Sequence, residues 1–200
     1  MTHRFALLFA AAALLAQSSS SSLTPAKILE ELAVGEGGTF CEVGAGDGEV
    51  SIAAARLLGP QGRVYTSELG EARVAKLRGK VEASGLSHAT VIEGDPARTN
   101  FPEGVCDGVL LRDVSHPPTD PAALNRSVWA SLKPGGRVAV IDFTPPSQEA
   151  ADPSGRAKDG SHGVAPETVA REMKEAGLQP VVSRKPGRRW FLLVLVRPAS

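Results

Sequence analysis

Residues 38–49 read Gly38-Thr39-Phe40-Cys41-Glu42-Val43-Gly44-Ala45-Gly46-Asp47-Gly48-Glu49. A strand-like apolar run passes through one acid into three glycines at alternate positions. Glycine lacks a Cβ, so it tolerates φ > 0 and lets the backbone close on a ligand. A helix predicted to begin near Asp47 would aim its free N–H groups back at that ligand. The stretch therefore reads as strand, tight turn and helix around a nucleotide-like cofactor. The dinucleotide fingerprint G-x-G-x-x-G requires glycine at its sixth position. Here that position is Glu49, whose carboxylate would face a pyrophosphate. An NAD-dependent oxidoreductase is thereby disfavoured.

Outward from this turn, strand-like and helix-like patterns alternate. Thr24-Pro25 supplies an N-cap and a first-turn proline for a helix with Ile28, Leu29 and Leu32 on one face. A strand is expected at 39–43, a helix from Asp47 to Leu58, and a second strand from Arg63 to Ser67, ending on Glu68. Residues 70–84 read as a helix with Val74, Leu77 and Val81 aligned, and 90–92 as a short strand. Asp107 to Leu111 is an apolar run suited to a buried strand. Asp120-Pro121 caps a helix through Leu132, and Lys133-Pro134-Gly135-Gly136 is a stop before a strand at 137–143. After a polar loop, a helix at 166–176 and two strands at 180–184 and 190–196 close the chain. The tip Lys185 to Arg189 suits a hairpin, hence an antiparallel pair. The sum is an α/β fold: a Rossmann-like, doubly wound, mostly parallel seven-stranded sheet with a C-terminal antiparallel hairpin.

Two hundred residues suit one domain. Lys+Arg and Asp+Glu both number 22, so net charge gives no sign of a nucleic-acid partner or a charged membrane surface. The N-terminus is different. Met1 to Arg4 is short and basic, Phe5 to Ala16 is uncharged and apolar, and Ala16-Gln17-Ser18 offers a small-residue cleavage site. This is the secretory signal pattern, too short to span a bilayer at about 20 residues. The organisation expected is a signal peptide at 1–18, a Ser-rich linker at 19–23 and one domain at 24–200, exported to the periplasm or secreted, or cytoplasmic if the N-terminus is not processed, and without stable membrane insertion. Cys41 and Cys106 fall in neighbouring parallel strands. Such strands seldom present bridge geometry, so two buried free thiols are expected. No Cys or His pair has metal-ligand spacing.

The order E-V-G-A-G-D-G at 42–48, a strand-ending Glu68, Gly94-Asp95, DGVLLRD at 107–113 and Leu132-Lys133-Pro134-Gly135-Gly136-Arg137 resembles the class I S-adenosylmethionine-dependent methyltransferases. The resemblance runs from about Thr24 to Val196. It is nearest in character to the small-molecule branches, such as the ubiquinone/menaquinone-biosynthesis type. It implies S-adenosyl-L-methionine as cofactor, a small-molecule acceptor, and a cofactor site formed by Glu42, Gly44, Ala45, Gly46, Glu68, Asp95 and Arg112. A carboxylate at Glu68 can accept both ribose hydroxyls, with Leu69 beside the adenine. In the turn Gly94-Asp95-Pro96 an Asp can accept the adenine amine. The chain departs from the family pattern in its N-terminal segment and in the short stretch Ala97 to Gly104, where a full helix often lies.

Methyl transfer is an in-line displacement in which positioning can supply much of the catalysis. A base is required only if the acceptor must lose a proton. Asp113, just past the fourth strand, and His116, three residues on, are the candidate catalytic residues, and His162 is a further loop candidate on the substrate side. A non-catalytic S-adenosylmethionine- or nucleoside-binding module of the same fold is the alternative. The sequence leaves the acceptor and the oligomeric state open.

Overall fold

A computed structural model describes residues 23–114, 120–146, 153–156, 162–185 and 189–199. The proposed signal segment and nearly all of the Ser-rich linker lie outside the described residues, as does His116.

The elements follow the alternation in the sequence: α1 Pro25–Leu32, β1 Thr39–Val43, α2 Glu49–Leu58, β2 Arg63–Glu68, α3 Glu71–Ala83, β3 Ala89–Glu93 and β4 Cys106–Arg112. Then come α4 Pro121–Ser131, β5 Leu132–Phe143, α5 Pro166–Glu175, β6 Gln179–Arg184 and β7 Trp190–Val196. Local chemistry sets the ends. The Thr24 hydroxyl accepts the Lys27 N–H at 3.3 Å, satisfying an orphan donor of α1. The Asp120 carboxylate does the same for Ala123 at 2.9 Å, with Pro121 in the first turn of α4.

The seven strands form one sheet in the order β3-β2-β1-β4-β5-β7-β6. The first five positions are parallel, and β7 runs antiparallel to both β5 and β6. The fold class expected from the sequence is the one observed. Ile28, Val50, Ala54 and Leu58 of α1 and α2 pack on one face with Phe40, Leu110 and Ile141. Leu124, Val128, Val169 and Met173 of α4 and α5 pack on the other with Cys41, Val109 and Val140. The chain leaves β1 toward β2 on one face and leaves β4 toward β5 on the other. The crevice beyond the carboxyl ends of β1 and β4 is therefore the topological switch point, where such sheets bind ligands.

Three local expectations are corrected. The second helix begins at Glu49, with Gly48 as its left-handed N-cap residue. The fifth strand begins at Leu132, because Leu132 pairs with Cys106 and the 135–136 backbone exchanges hydrogen bonds with Arg197 at 2.9 Å. The stop signal at Pro134-Gly135-Gly136 is thus absorbed into an irregular strand. Third, Cys41 and Cys106 are joined as a disulfide, with a Cα–Cα distance of 6.0 Å. The ladder slips between Cys106 and Gly108. That irregularity puts Cys106 into the same buried cluster as Cys41, Val109 and Leu111, which strict alternation would not do.

Candidate active site

The glycine turn lies across the carboxyl end of β2. The Ala45 N–H donates to the Ser67 carbonyl at 2.9 Å. Gly44, Gly46 and Gly48 have φ of 67°, 55° and 74°, the left-handed region that L side chains rarely adopt. At two of them space is also short. A Cβ on Gly44 would sit 3.3 Å from Val114, and one on Gly48 only 2.6 Å from Leu77 Cδ1. Asp47, at the turn's tip, pairs with Lys76 and Lys80 of α3 at 2.7 and 2.8 Å. Those two ammonium groups hold its carboxyl at about 2.

Glu68 gathers the surrounding loops. Its Oε2 accepts the Gly46 N–H at 2.8 Å, and its Oε1 accepts the Leu69 N–H at 2.7 Å. The Arg73 Nε lies 3.4 Å from Oε1 and donates to the Leu69 carbonyl at 2.7 Å. The Glu68 carbonyl accepts the Gly94 N–H at 2.9 Å, which sets the turn after β3. In that turn Asp95 Oδ1 accepts the Ala97 N–H at 2.9 Å, while the backbones of Asp95 and Arg98 exchange two bonds of 3.1 Å. A carboxylate offers about four acceptor positions. Two backbone N–H groups and one grazing guanidinium fix Glu68 in place and leave it able to accept from a ligand.

These loops enclose a cavity of about 330 Å³. Glu68, Leu69, Arg73, Gly94, Asp95, Pro96 and Arg98 line one side. Gly44, Asp113, Val114 and Leu124 line the other. Asp113 sits at φ 58°, its N–H donating to the Ile141 carbonyl at 3.0 Å, so β5 fixes where the β4 chain turns away.

Of the residues singled out in the sequence, Gly44, Glu68, Leu69, Gly94, Asp95, Pro96 and Asp113 converge on this cavity. Gly46 contributes its N–H to Glu68, and Ala45 ties the turn to β2, without lining the cavity. Arg112 is exposed and off the lining. Glu42 is buried beneath the turn at 4 % exposure rather than facing the cavity. Its carboxylate is bonded to the Ser51 hydroxyl, which also lies 2.9 Å from the Thr66 hydroxyl. Burial pushes the Glu42 carboxyl up to about 7, against the opposing pull of the Ser51 hydrogen bond and the Arg112 charge. Glu42 thus supports the floor from below.

Arg73, Arg98, Val114 and Leu124 are lining residues that the sequence reading missed. Arg73 had one usable signal. It lies four residues after Leu69 at the start of a helix, where its side chain can turn back on the strand-end loop. Nothing in the local sequence marks Arg98, Val114 or Leu124. Among the described residues, no group of three or more His, Cys, Asp or Glu could hold a metal ion, and no helix is long and apolar enough to cross a membrane.

A family model described as a methyltransferase domain matches residues 40–136, just under half of the chain. The ubiquinone/menaquinone biosynthesis C-methyltransferase UbiE of Pseudomonas paraeruginosa is 31 % identical over 124 residues, covering 60 % of this chain and 47 % of that protein. UbiE of Escherichia coli is 27 % identical over 114 residues, covering 56 % of this chain and 45 % of its own length. The chain therefore spans about half the length of the curated relatives it matches. Among solved structures, a SAM-dependent methyltransferase from Aquifex aeolicus superposes with a TM-score of 0.74 at 21 % identity, covering 86 % of this chain and 89 % of that one. The [4+2]-cyclase SpnF superposes with a TM-score of 0.78 at 13 % identity, covering 92 % and 86 %. The matched segment 40–136 carries the glycine turn, Glu68, the 94–98 turn and Asp113, so it contains every residue that lines the cavity.

Proposed function

We propose that this chain is an S-adenosylmethionine-dependent methyltransferase acting on a small-molecule acceptor. The observation that carries the reading is Glu68. It is a strand-ending carboxylate, locked to the glycine turn through Gly46 and facing a cavity whose other side is Asp113 and Val114. The residues present fit the cofactor. Glu68 and Asp95 accept hydrogen bonds at the end where a ribose and an adenine amine would bind. The carboxylate of Glu49, in the first turn of α2, makes that helix terminus a poor phosphate site. S-adenosylmethionine has no phosphate and carries cationic groups that acidic surroundings favour.

When bound, the cofactor supplies an electrophilic methyl group on a sulfonium. The chain's own part is to hold and exclude. Glu68, fixed by two N–H groups, orients the nucleoside end. Gly44 keeps a Cβ out of the cavity wall, and Gly46 turns its N–H to Glu68. Val43, Val114 and Leu124 give that wall apolar surface, which limits water at the reacting end. Asp113, held at the mouth by Ile141, and His116 are the groups proposed to accept a proton where the acceptor must lose one. The likeness to UbiE supports a small organic acceptor. The same fold in a cyclase makes a module that binds without methyl transfer the alternative.

The test is transfer of label from methyl-labelled S-adenosylmethionine into a panel of small-molecule acceptors. Label in the small-molecule fraction supports the proposal. Cofactor binding with no transfer across the panel favours the binding module. Glu68→Ala should weaken binding of S-adenosylhomocysteine by about 1.5–3 kcal/mol, the range for a hydrogen bond to a charged group. Unchanged affinity removes Glu68 from the site.

A further inference from the structure

The Cys41–Cys106 disulfide joins, within the core, the two strands that run up to the cofactor cavity. Cys41 is the residue before Glu42 on β1, three before Gly44. Cys106 opens β4, the strand that delivers Asp113 to the cavity. β1 and β4 are the two strands of the switch point, so the bond ties together two strands whose carboxyl ends lead into the same part of the cavity lining, at Gly44 and Asp113. Both cysteines are 0 % exposed and packed in one cluster with Val43, Val109 and Leu111.

We propose that this disulfide is a permanent structural cross-link bracing the floor of the cofactor site, and that the chain reaches its cofactor-competent state where thiols are oxidised. Two observations carry this in different ways. Thiol–disulfide exchange requires a thiolate to reach one of the sulfurs. Complete burial denies that access in the folded protein, which makes the bond a lock rather than a switch. The bond also closes a long loop, with a sequence separation of 65, and such closure disfavours the unfolded chain. Bonds of this kind persist in oxidising compartments and are rare where glutathione and thioredoxin keep thiols reduced. The signal-like segment at 1–18 points independently to the same setting. In the forming step the two thiols give up two protons and two electrons to a disulfide oxidant, which leaves as a dithiol.

The experiment compares the full chain made under oxidising conditions with the same chain refolded in reductant, and with the Cys41→Ala/Cys106→Ala double variant. The oxidised protein should show no free thiol in denaturant and two after reduction. Mild thiol reductant should leave the bond intact in buffer and cleave it only in denaturant. The reduced chain should melt roughly 5–15 °C lower, the shift that a disulfide's usual contribution produces in a chain of this size. Comparing the two redox forms of one sequence keeps the result independent of whether the double variant folds. Two titratable thiols in the oxidised preparation, ready reduction under native conditions, or an unchanged melting temperature would each overturn the proposal. A last readout rests on the cofactor reading: S-adenosylhomocysteine should bind the reduced form at least tenfold more weakly, and equal affinity would overturn the bracing role. If the oxidised form fails to bind it, the methyltransferase reading falls, and the thiol count and melting shift still decide the cross-link.

Discussion

Replacing Glu42 with glutamine should make the protein more stable at neutral and alkaline pH while leaving its stability near pH 4 almost unchanged. Glu42 sits under the glycine turn, bonded to Ser51, with burial as the largest cause of its raised carboxyl, at about 7 against 4.5 for the free group. The sign follows from proton linkage. Between about pH 4.5 and 7 the folded chain holds a proton on Glu42 that the unfolded chain has released. Stability therefore falls as pH rises through that window, and the loss is complete above it. One pKa unit corresponds to ~1.4 kcal/mol, so the shift amounts to on the order of 3 kcal/mol. A glutamine keeps the carbonyl oxygen that accepts from Ser51 and never ionises. The assay is urea unfolding of both proteins at several pH values from about 5 to 8. The difference between glutamine and wild type should grow with pH toward that magnitude. A difference flat across the range, or one that shrinks as pH rises, would refute the assignment of a buried, proton-holding Glu42.

Further outcomes follow from single positions. Gly48→Ala should cost at least 1–2 kcal/mol, since its φ of 74° disfavours any L side chain and Leu77 must give way, and it should weaken binding of S-adenosylhomocysteine with it. Equal melting temperatures would contradict this. Arg156 is buried at 3 % exposure and paired with Glu172 at 2.6 and 3.2 Å. Arg156→Ala should destabilise by about 3–5 kcal/mol by stranding that carboxylate, measured by chemical denaturation. Gly163→Ala would place a Cβ 2.5 Å from the Phe143 carbonyl at a φ of 127°. It should lower the melting temperature by several degrees, at roughly 2–4 °C per kcal/mol for a chain of this size, and wild-type stability would refute the close approach.

The strand-helix alternation was legible because β1, β4, β5 and β7 are near-continuous apolar runs, and because Thr24-Pro25 and Asp120-Pro121 mark helix starts with side-chain chemistry. The cavity was legible at Gly44, Glu68 and Asp95 because each sits at a strand's carboxyl end, a position that sequence order alone reveals. The rest depended on register. Nothing in Cys106-Asp107-Gly108 announces the slip that brings Cys106 against Cys41, so two free thiols were the natural reading of parallel neighbours. The start of β5 was hidden for a similar reason. Pro134-Gly135-Gly136 stays in the strand only because Arg197, some 60 residues away, supplies backbone partners. Arg73 and Arg98 reach the cavity by folding back from helix and turn, a tertiary fact. Glu42 matched the expected pattern by position, yet its side chain went down to Ser51 and Thr66 instead of up to the cavity.

The function turns on the identity of the ligand that the glycine turn and Glu68 hold. Calorimetric titration of the oxidised full chain with S-adenosylhomocysteine, and separately with NAD, tests it most directly. The expected result is saturable, single-site binding of S-adenosylhomocysteine that Glu68→Ala weakens, with no comparable heat from NAD. Tight binding of NAD together with none of S-adenosylhomocysteine would contradict it.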